Sequence, residues 1–159
     1  MLTRLFQLAT SLIIVSHPAA GVSFQVQSLC SEAFTVESDH NASTNDTVGS
    51  ITVKALDESG VPYKGGAEGI ASIGDSPSGD KAMEVISSTH MRAYGWCFSI
   101  NGVEPAAMPD KVSITSNDDV IQWYYGFAEY KDGAWITYCT PTHQARPTYI
   151  CPVESPAGE

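Results

Sequence analysis

Residues 120–127 have the sequence Val120-Ile-Gln-Trp-Tyr-Tyr-Gly-Phe127, and this stretch decides the class of fold. Its β-branched and aromatic residues favour a β-strand, and the turn sequence Asn117-Asp-Asp119 comes immediately before it. Alternate residues of a strand share a face, so four side chains are predicted to point together into the core: Ile121, Trp123, Tyr125 and Phe127. Tyr124 and Gln122 are predicted on the opposite, exposed side.

Further strands are predicted on both sides of this stretch. Residues 24–36 alternate loosely and suit one or two strands, and residues 95–102 form a strand that ends in Asn-Gly, a preferred turn pair. Residues 134–138 follow a Lys-Asp-Gly turn and are predicted to return as the hairpin partner of residues 120–127. Residues 50–56 alternate apolar and polar positions and predict another strand.

One short helix is predicted between these strands. Residues 75–80 can cap the segment 81–88, in which Ala82, Met83, Val85 and Ile86 suit two turns of helix. The sequence therefore predicts an α+β fold that is mostly β, with one short helix and an added C-terminal hairpin. Residues 21–151 have the length of a single domain.

The first twenty residues predict export from the cytoplasm. Arg4 precedes an apolar stretch from Leu5 to Val15, and Pro18-Ala-Ala20 is typical of a signal-peptidase site. The apolar core is shorter than the roughly twenty residues of a membrane anchor. Residues 1–20 are therefore predicted to be a signal peptide, and the remaining chain to be secreted or periplasmic without membrane insertion. Residues 152–159 are predicted to be a disordered tail.

Cysteine usage agrees with export. Cys30, Cys97, Cys139 and Cys151 are an even set in an exported chain, which predicts two disulfides with three possible connectivities. The short spacing of Cys139 and Cys151 favours their pairing as a staple of the tail, and the other two connectivities stay open.

The formal net charge of −10 argues against nucleic-acid and anionic-membrane partners, which recruit Lys and Arg. It suits a neutral or cationic partner, either a small molecule or an extracellular protein. Two sequons, at Asn41 and Asn45, are glycosylation acceptors if the source is eukaryotic, and otherwise part of a polar loop.

No catalytic or metal motif is present. His40, His90 and His143 form neither an HxH nor an HExxH pair, and no GxSxG elbow occurs. We therefore expect a protein that is not an enzyme. A secreted hydrolase with two carboxylates distant in sequence is the third hypothesis, after the two binding hypotheses below.

Two segments resemble one known family. Gly95-Trp-Cys-Phe-Ser-Ile-Asn-Gly-Val-Glu-Pro105 and Asp118-Asp-Val-Ile-Gln-Trp-Tyr-Tyr-Gly126 are similar in pattern and spacing to the transcobalamin C-terminal-like domain family, over residues 91–149 at most. The resemblance implies a β-grasp-like sheet with one helix packed across it. In vitamin B12 carriers such a domain closes over the corrinoid beside a helical domain, for which this chain has no room. It implies cobalamin, or another corrinoid or tetrapyrrole, as a ligand.

The candidate ligand-binding residues are mainly aromatic, because Trp and Tyr give flat contact areas with a polar edge. They are Trp96, Asn101, Trp123, Tyr124, Tyr125 and Tyr130. Core packing alone also explains Trp96 and Trp123, whereas Tyr124 and Tyr130 are the better candidates for contact. The first hypothesis is a secreted non-enzymatic binding module for a small ligand, and the second is a protein-interaction or adhesion module. An aromatic cleft beside the Asn101-Gly102 turn favours the first, an exposed aromatic strand edge the second, and carboxylates that converge in a cleft the hydrolase.

Overall fold

The structure is a computed structural model that describes residues 21–152. The predicted signal peptide and residues 153–159 of the predicted tail lie outside the described residues. Within them the chain is α+β and mostly β, as predicted. The elements in chain order are β1 (Val22–Gln27), β2 (Phe34–His40), α1 (Val48–Ser59), β3 (Tyr63–Gly66), β4 (Gly69–Ile73), β5 (Met83–Ser87), β6 (His90–Ile100), β7 (Val120–Lys131), β8 (Ala134–Pro141) and α2 (Thr142–Ala145).

The main sheet has the strand order β2-β1-β7-β6-β5, and a separate hairpin consists of β3 and β4. One edge of β7 pairs with β6 along its length. The other edge pairs in parallel with β1 near its start and antiparallel with β8 near its end. The predicted C-terminal hairpin is therefore present as β7 and β8. No helix within residues 21–152 has the length and apolar character needed to cross a bilayer.

The prediction of a strand at residues 50–56 is wrong, because this segment lies inside α1. The buried residues of α1 follow a helical period and include Val48, Ile51, Ala55 and Leu56. Thr47 and Ser50 form a reciprocal capping box at the start, and Gly60 ends the helix in the left-handed conformation. The alternation of residues 50–56 was a by-product of this longer pattern.

The prediction of a helix at residues 81–88 is also wrong. A short 3-10 turn at Gly79–Ala82 leads into β5, which pairs antiparallel with β6. Val85 and Ile86 are exposed on this edge strand rather than buried on one helical face. Hydrogen bonding to β6 and the preference of β-branched residues for extended backbone explain the strand.

The two faces of the main sheet differ, and we name them by what covers them. The helix face packs against α1 and includes Trp96, Phe98 and Trp123. The four side chains predicted to share a core face, Ile121, Trp123, Tyr125 and Phe127, are all buried there. The disulfide face is opposite and includes Cys97, Tyr124 and Gly126. The prediction that Tyr124 is exposed is wrong, since only 5% of it is accessible.

The four cysteines form two disulfides, Cys30–Cys151 and Cys97–Cys139. The favoured pairing of Cys139 with Cys151 is therefore wrong. Cys139 is on β8 and Cys97 on β6, so the end of β8 must cross over β7 to join them. Gly126 permits the crossing, because a Cβ there would lie 3.2 Å from the carbonyl carbon of Cys139. Disulfides of this kind are typical of oxidising compartments.

Candidate functional site

An aromatic cleft of about 370 Å³ opens on the helix face. We call it the Trp96 cleft. Its floor consists of side chains from β6 and β7, its wall of residues of β4, and its rim of residues at the start of a 3-10 turn at Pro109–Lys111 and in the loop before it. The lining residues are Gly69, Ile70, Ala71, Trp96, Phe98, Ala107, Met108, Pro109 and Trp123.

Cross-strand pairing positions the aromatic floor. Phe98 lies opposite Trp123, with ring centroids 5.2 Å apart. Trp96 lies opposite Tyr125 in the same ladder, and these rings meet edge to face at 5.5 Å. Residues two apart on a strand share a face, so Trp96 and Phe98 both face α1 and the β3–β4 hairpin. The floor is therefore fixed by sheet register.

Both indole N–H groups of the floor already have acceptors in the fold. Trp123 Nε1 donates to Thr52 Oγ1 at 2.8 Å, and Trp96 Nε1 donates to Ser76 Oγ at 2.9 Å. These bonds set the orientation of the two rings and satisfy their polar edges. Since Trp123 is only 2% exposed, the ring surface open to a ligand comes mainly from Trp96 and Phe98, and neither indole has a free hydrogen-bond donor.

The β3–β4 hairpin that forms the wall rests directly on α1. A Cβ at Gly49 would lie 2.0 Å from the carbonyl oxygen of Ala67, in the hairpin turn. Only glycine at position 49 allows the turn to approach the helix so closely. On the other side of the cleft the Met108 side chain is 59% exposed and reaches to within 3.6 Å of a Cβ built at Gly69.

A second cleft of about 290 Å³ lies on the other side of Trp96. Its lining residues are Leu29, Thr35, Val61, Ile73, Gly74, Asp75, Ser76 and Trp96. Trp96 thus contributes to both clefts and is the partition between them. Among the predicted residues it is the one most exposed to a ligand that enters on the helix face.

Asn101 has a structural role at the strand ends. Its Nδ2 donates to Asp119 Oδ1 at 2.9 Å, and its Oδ1 accepts from the backbone N–H of Val120 at 2.9 Å. Asp119 is buried and also accepts from the backbone N–H groups of Thr115 and Ser116. Burial raises the pKa of Asp119, but the hydrogen bonds from Asn101 and these amides outweigh it and lower the pKa below its usual value.

Tyr124 and Tyr125 point to opposite faces and are both buried. Tyr125 donates to the carbonyl oxygen of Pro77 at 2.7 Å, and burial raises its pKa to about 12. Tyr124 donates to Glu104 and borders a polar pocket of about 190 Å³ on the disulfide face, next to Gly102 and His143. Burial, followed by the bond to Glu104, raises the pKa of Tyr124. The structure therefore separates Tyr124 from the Trp96 cleft.

Tyr130 lies in an aromatic row on the β7–β8 hairpin. Its ring meets Trp135 at 5.4 Å, and Trp135 lies 6.4 Å from Tyr138. Trp135, Ile136 and Tyr138 are 44%, 53% and 70% exposed. Both features that separate the two binding hypotheses are thus present, a concave aromatic cleft and an exposed aromatic strand edge. The cleft is bordered by the loop after the Asn101-Gly102 turn.

Two carboxylates approach each other on the helix face, but an arginine lies between them. Arg92 contacts Glu84 at 3.5 Å and Glu129 at 3.4 Å, and its guanidinium lies over the Phe127 ring. His90 Nε2 is 2.5 Å from Glu129 Oε1, and this hydrogen bond, followed in effect by the Arg92 charge, lowers the pKa of Glu129. None of these five residues lines the clefts described above. The group has the character of an ion-pair network rather than of an acid–base pair facing a substrate.

Sequence reasoning missed Phe98, Ile70 and Met108 as parts of the site. Phe98 could have been found, because it follows Trp96 by two residues on a predicted strand. Ile70 was hidden in a glycine-rich stretch that resembles a flexible connection, yet Gly65 has φ +124° and lies within the β3–β4 hairpin. No sequence signal places Met108 beside this hairpin.

Within residues 21–152 no group of three or more His, Cys, Asp or Glu side chains is arranged to hold a metal ion. Comparison of the chain with known protein families, with characterised proteins and with solved structures gave no match.

Proposed function

We propose that the chain is a secreted or periplasmic, non-enzymatic binding module that takes a flat, largely apolar ring system in the Trp96 cleft. A corrinoid such as cobalamin, or another tetrapyrrole, is the ligand class that the family resemblance implies. The observation on which the proposal rests is the aromatic floor of Trp96, Phe98 and Trp123 beneath a concave opening. Aromatic-lined concave sites are the usual form of small-molecule sites.

Cleft volume limits what part of such a ligand is held. A volume of about 370 Å³ is at the lower end of the roughly 300–1,000 Å³ range of small-molecule sites. An open cleft of this size accommodates one or two fused rings, or one edge of a macrocycle. A corrinoid would therefore be gripped at one edge, with the rest against the rim at Met108 or against another protein.

The chain order supports a β-grasp-like fold. A β1–β2 hairpin is followed by α1, and β1 then pairs in parallel with the later strand β7. This mixed central pairing, with one helix across the sheet, is what the resemblance to the transcobalamin C-terminal-like family implies. Two disulfides support export, because such bonds persist outside reducing compartments.

The test is a titration of the oxidised chain, residues 21–159, with cobalamin, cobinamide and haem. Tryptophan fluorescence and the absorbance of each ligand are followed together. We expect saturable binding of at least one ligand at micromolar concentration. Phe98→Ala should weaken it about tenfold, because a buried aromatic contact is lost. Trp135→Phe, on the exposed hairpin, is the control and should leave the affinity unchanged. Absence of binding to all three ligands contradicts the corrinoid and tetrapyrrole assignment.

Interaction with another protein through β8 is the second candidate function. Residues 134–141 contain no charged side chain in a chain of net charge −10, and the outer edge of β8 has no strand partner among residues 21–152. Natural edge strands are usually protected by charge or by a covering element. A second acidic copy could approach this neutral strip with little repulsion, so we take self-pairing of β8 as the interaction it favours.

Sedimentation analysis tests this second function. Ile136→Lys should abolish a concentration-dependent dimer, whereas Val85→Lys on the other exposed edge, at β5, should preserve it. A wild-type chain that stays monomeric at high concentration contradicts self-pairing.

A further inference from the structure

We infer that the Trp96 cleft selects cationic ring ligands over neutral and anionic ones of the same shape. This inference rests on the proposed binding function and narrows it to one charge class. It follows from three features of the cleft: the aromatic floor, the lack of any charged lining side chain, and the carboxylate of Glu68 next in sequence to the lining residue Gly69, in a chain of net charge −10.

The aromatic floor has the composition of a cation-binding site. Trp96, Phe98 and Trp123 line one cleft, and Met108 adds a polarisable thioether at the rim. The face of an aromatic ring has negative electrostatic potential, so it attracts a cation, most strongly at Trp. Since both indole N–H groups are bonded within the fold, at Thr52 and Ser76, the positive ring edges are occupied.

Charge around the cleft adds to this preference. Glu68 precedes the lining residue Gly69, and Asp110 follows the lining residue Pro109. Lys111 Nζ is 2.6 Å from Asp110 Oδ2, so this pair carries no net charge, and Glu68 supplies the remaining negative charge beside the lining residues. No Lys, Arg or His lines the cleft. In a chain of net charge −10, the field at this opening attracts cations and repels carboxylates.

Three bicyclic probes of similar shape and different charge test the inference. They are N-methylquinolinium, a cation; methylquinoline, which is neutral at mildly alkaline pH; and naphthoate, an anion. Affinities for the oxidised chain, residues 21–159, are measured by tryptophan quenching and confirmed by calorimetry. We expect the cation to bind about tenfold more tightly than the neutral probe, and the anion most weakly.

Phe98→Leu separates ring electrostatics from apolar contact. Leucine keeps most of the hydrophobic surface and removes the aromatic face, so the cation should lose several-fold in affinity while the neutral probe changes little. Glu68→Gln should reduce the affinity for the cation about twofold and weaken its dependence on salt. Glu37→Gln, which removes an exposed carboxylate on the edge strand β2, is the control and should have no effect.

Failure of this inference and failure of the proposed function give different results. Equal binding of the cation and the neutral probe overturns cation selection and leaves a ring-binding site in place. Binding of none of the three probes overturns both. The same preference should rank diaquocobinamide, a cation, above haem, whose propionates are anionic. The reverse order also contradicts the inference.

Discussion

Each face of the β6–β7 ladder is covered by a segment that packs against a glycine. One face keeps an open cleft beside that segment, and on the other face the segment is held by a disulfide. On the helix face the β3–β4 hairpin lies on Gly49 and leaves the Trp96 cleft open beside it. On the disulfide face β8 lies on Gly126, and the Cys97–Cys139 bond holds it there. The same two strands thus border an open cleft on one side and are covered on the other by a strand that a disulfide holds in place.

This difference explains why aromatic residues adjacent in sequence have different roles. Trp123 contributes to the floor of the cleft, whereas Tyr124, the next residue, is buried on the disulfide face and donates to Glu104. Thr142, at the start of α2, is fully buried and places its hydroxyl 2.9 Å from the carbonyl oxygen of Tyr125 and 2.6 Å from that of Leu29. The segment after β8 therefore ties the ladder to the loop after β1.

The largest loss of stability is expected from Gly49→Ala, which tests how the β3–β4 hairpin packs on the helix face. Alanine normally stabilises a helix relative to glycine by about 1 kcal/mol. Here its Cβ would lie 2.0 Å from the carbonyl oxygen of Ala67, so the sign should reverse. We expect a net loss of about 3 kcal/mol in the free energy of unfolding, measured by urea denaturation. Gly66→Ala, where nothing lies within 4 Å of the new Cβ, is the matched control. Equal stability of the two variants would show that the hairpin does not rest on the helix.

Gly126→Val tests the disulfide face and should lower the free energy of unfolding by about 2 kcal/mol. The new side chain would press against Cys139 and Thr140, both 3.2 Å from the Cβ position, and the disulfide prevents β8 from moving away. Gly95 is the cross-strand partner of Gly126 and has open space at its Cβ position, so Gly95→Val is the control. Urea denaturation and the count of free thiols after refolding measure both variants. A Gly126 variant as stable as the Gly95 variant contradicts the close contact.

Asp119→Asn should destabilise the β6–β7 ladder itself, because Asp119 links the end of β6 to the start of β7. Its pKa is lowered in the folded state, so its contribution to stability is complete above the unfolded-state pKa of about 3.9 and is lost as the pH falls through the folded-state value. We expect a loss of about 2 kcal/mol at neutral pH. The difference from wild type should shrink in acid, as followed by thermal unfolding across pH. A constant difference at all pH values contradicts this role.

Ala71→Trp should have the smallest effect on stability and a large effect on binding. Ala71 lines the Trp96 cleft and is exposed, so a tryptophan there can occupy the cleft without disturbing the core. We expect unchanged unfolding within about 0.5 kcal/mol and at least a tenfold loss of ligand affinity. Ala134→Trp on β8 is the control. Undiminished binding by the filled variant would place the ligand elsewhere.

Sequence patterns predicted β7 and its hairpin partner β8, because these depend on local alternation and on turn residues, whereas the edge strand β5 was predicted as a helix. The core face of β7 and the β7–β8 hairpin follow from a period of two and from the turn at residues 131–133. The prediction for residues 50–56 was wrong because seven residues can fit both a strand and a helix period. The caps at Thr47 and Gly60 define the helix. The cap at Thr47 and the glycine after the helix were readable signals.

The cleft and the disulfide pairing could not be predicted from local patterns, since both depend on residues distant in the chain. Met108 and Ile70 line the same cleft only because the β3–β4 hairpin folds back over β6. Cys97 reaches Cys139 only because β8 crosses Gly126. Trp96 and Trp123 were among the six predicted binding residues, and that both line one cleft depends on this three-dimensional arrangement.

The three tryptophans of the chain provide the most direct test of where a ligand binds. Each indole N–H contributes one signal to a proton–nitrogen NMR spectrum, and Trp96 and Trp123 line the cleft whereas Trp135 lies on the exposed hairpin. During titration with N-methylquinolinium, and separately with diaquocobinamide, we predict that the signals of Trp96 and Trp123 shift together to saturation while that of Trp135 stays in place. A shift of the Trp135 signal alone would contradict the account and assign binding to the β7–β8 hairpin.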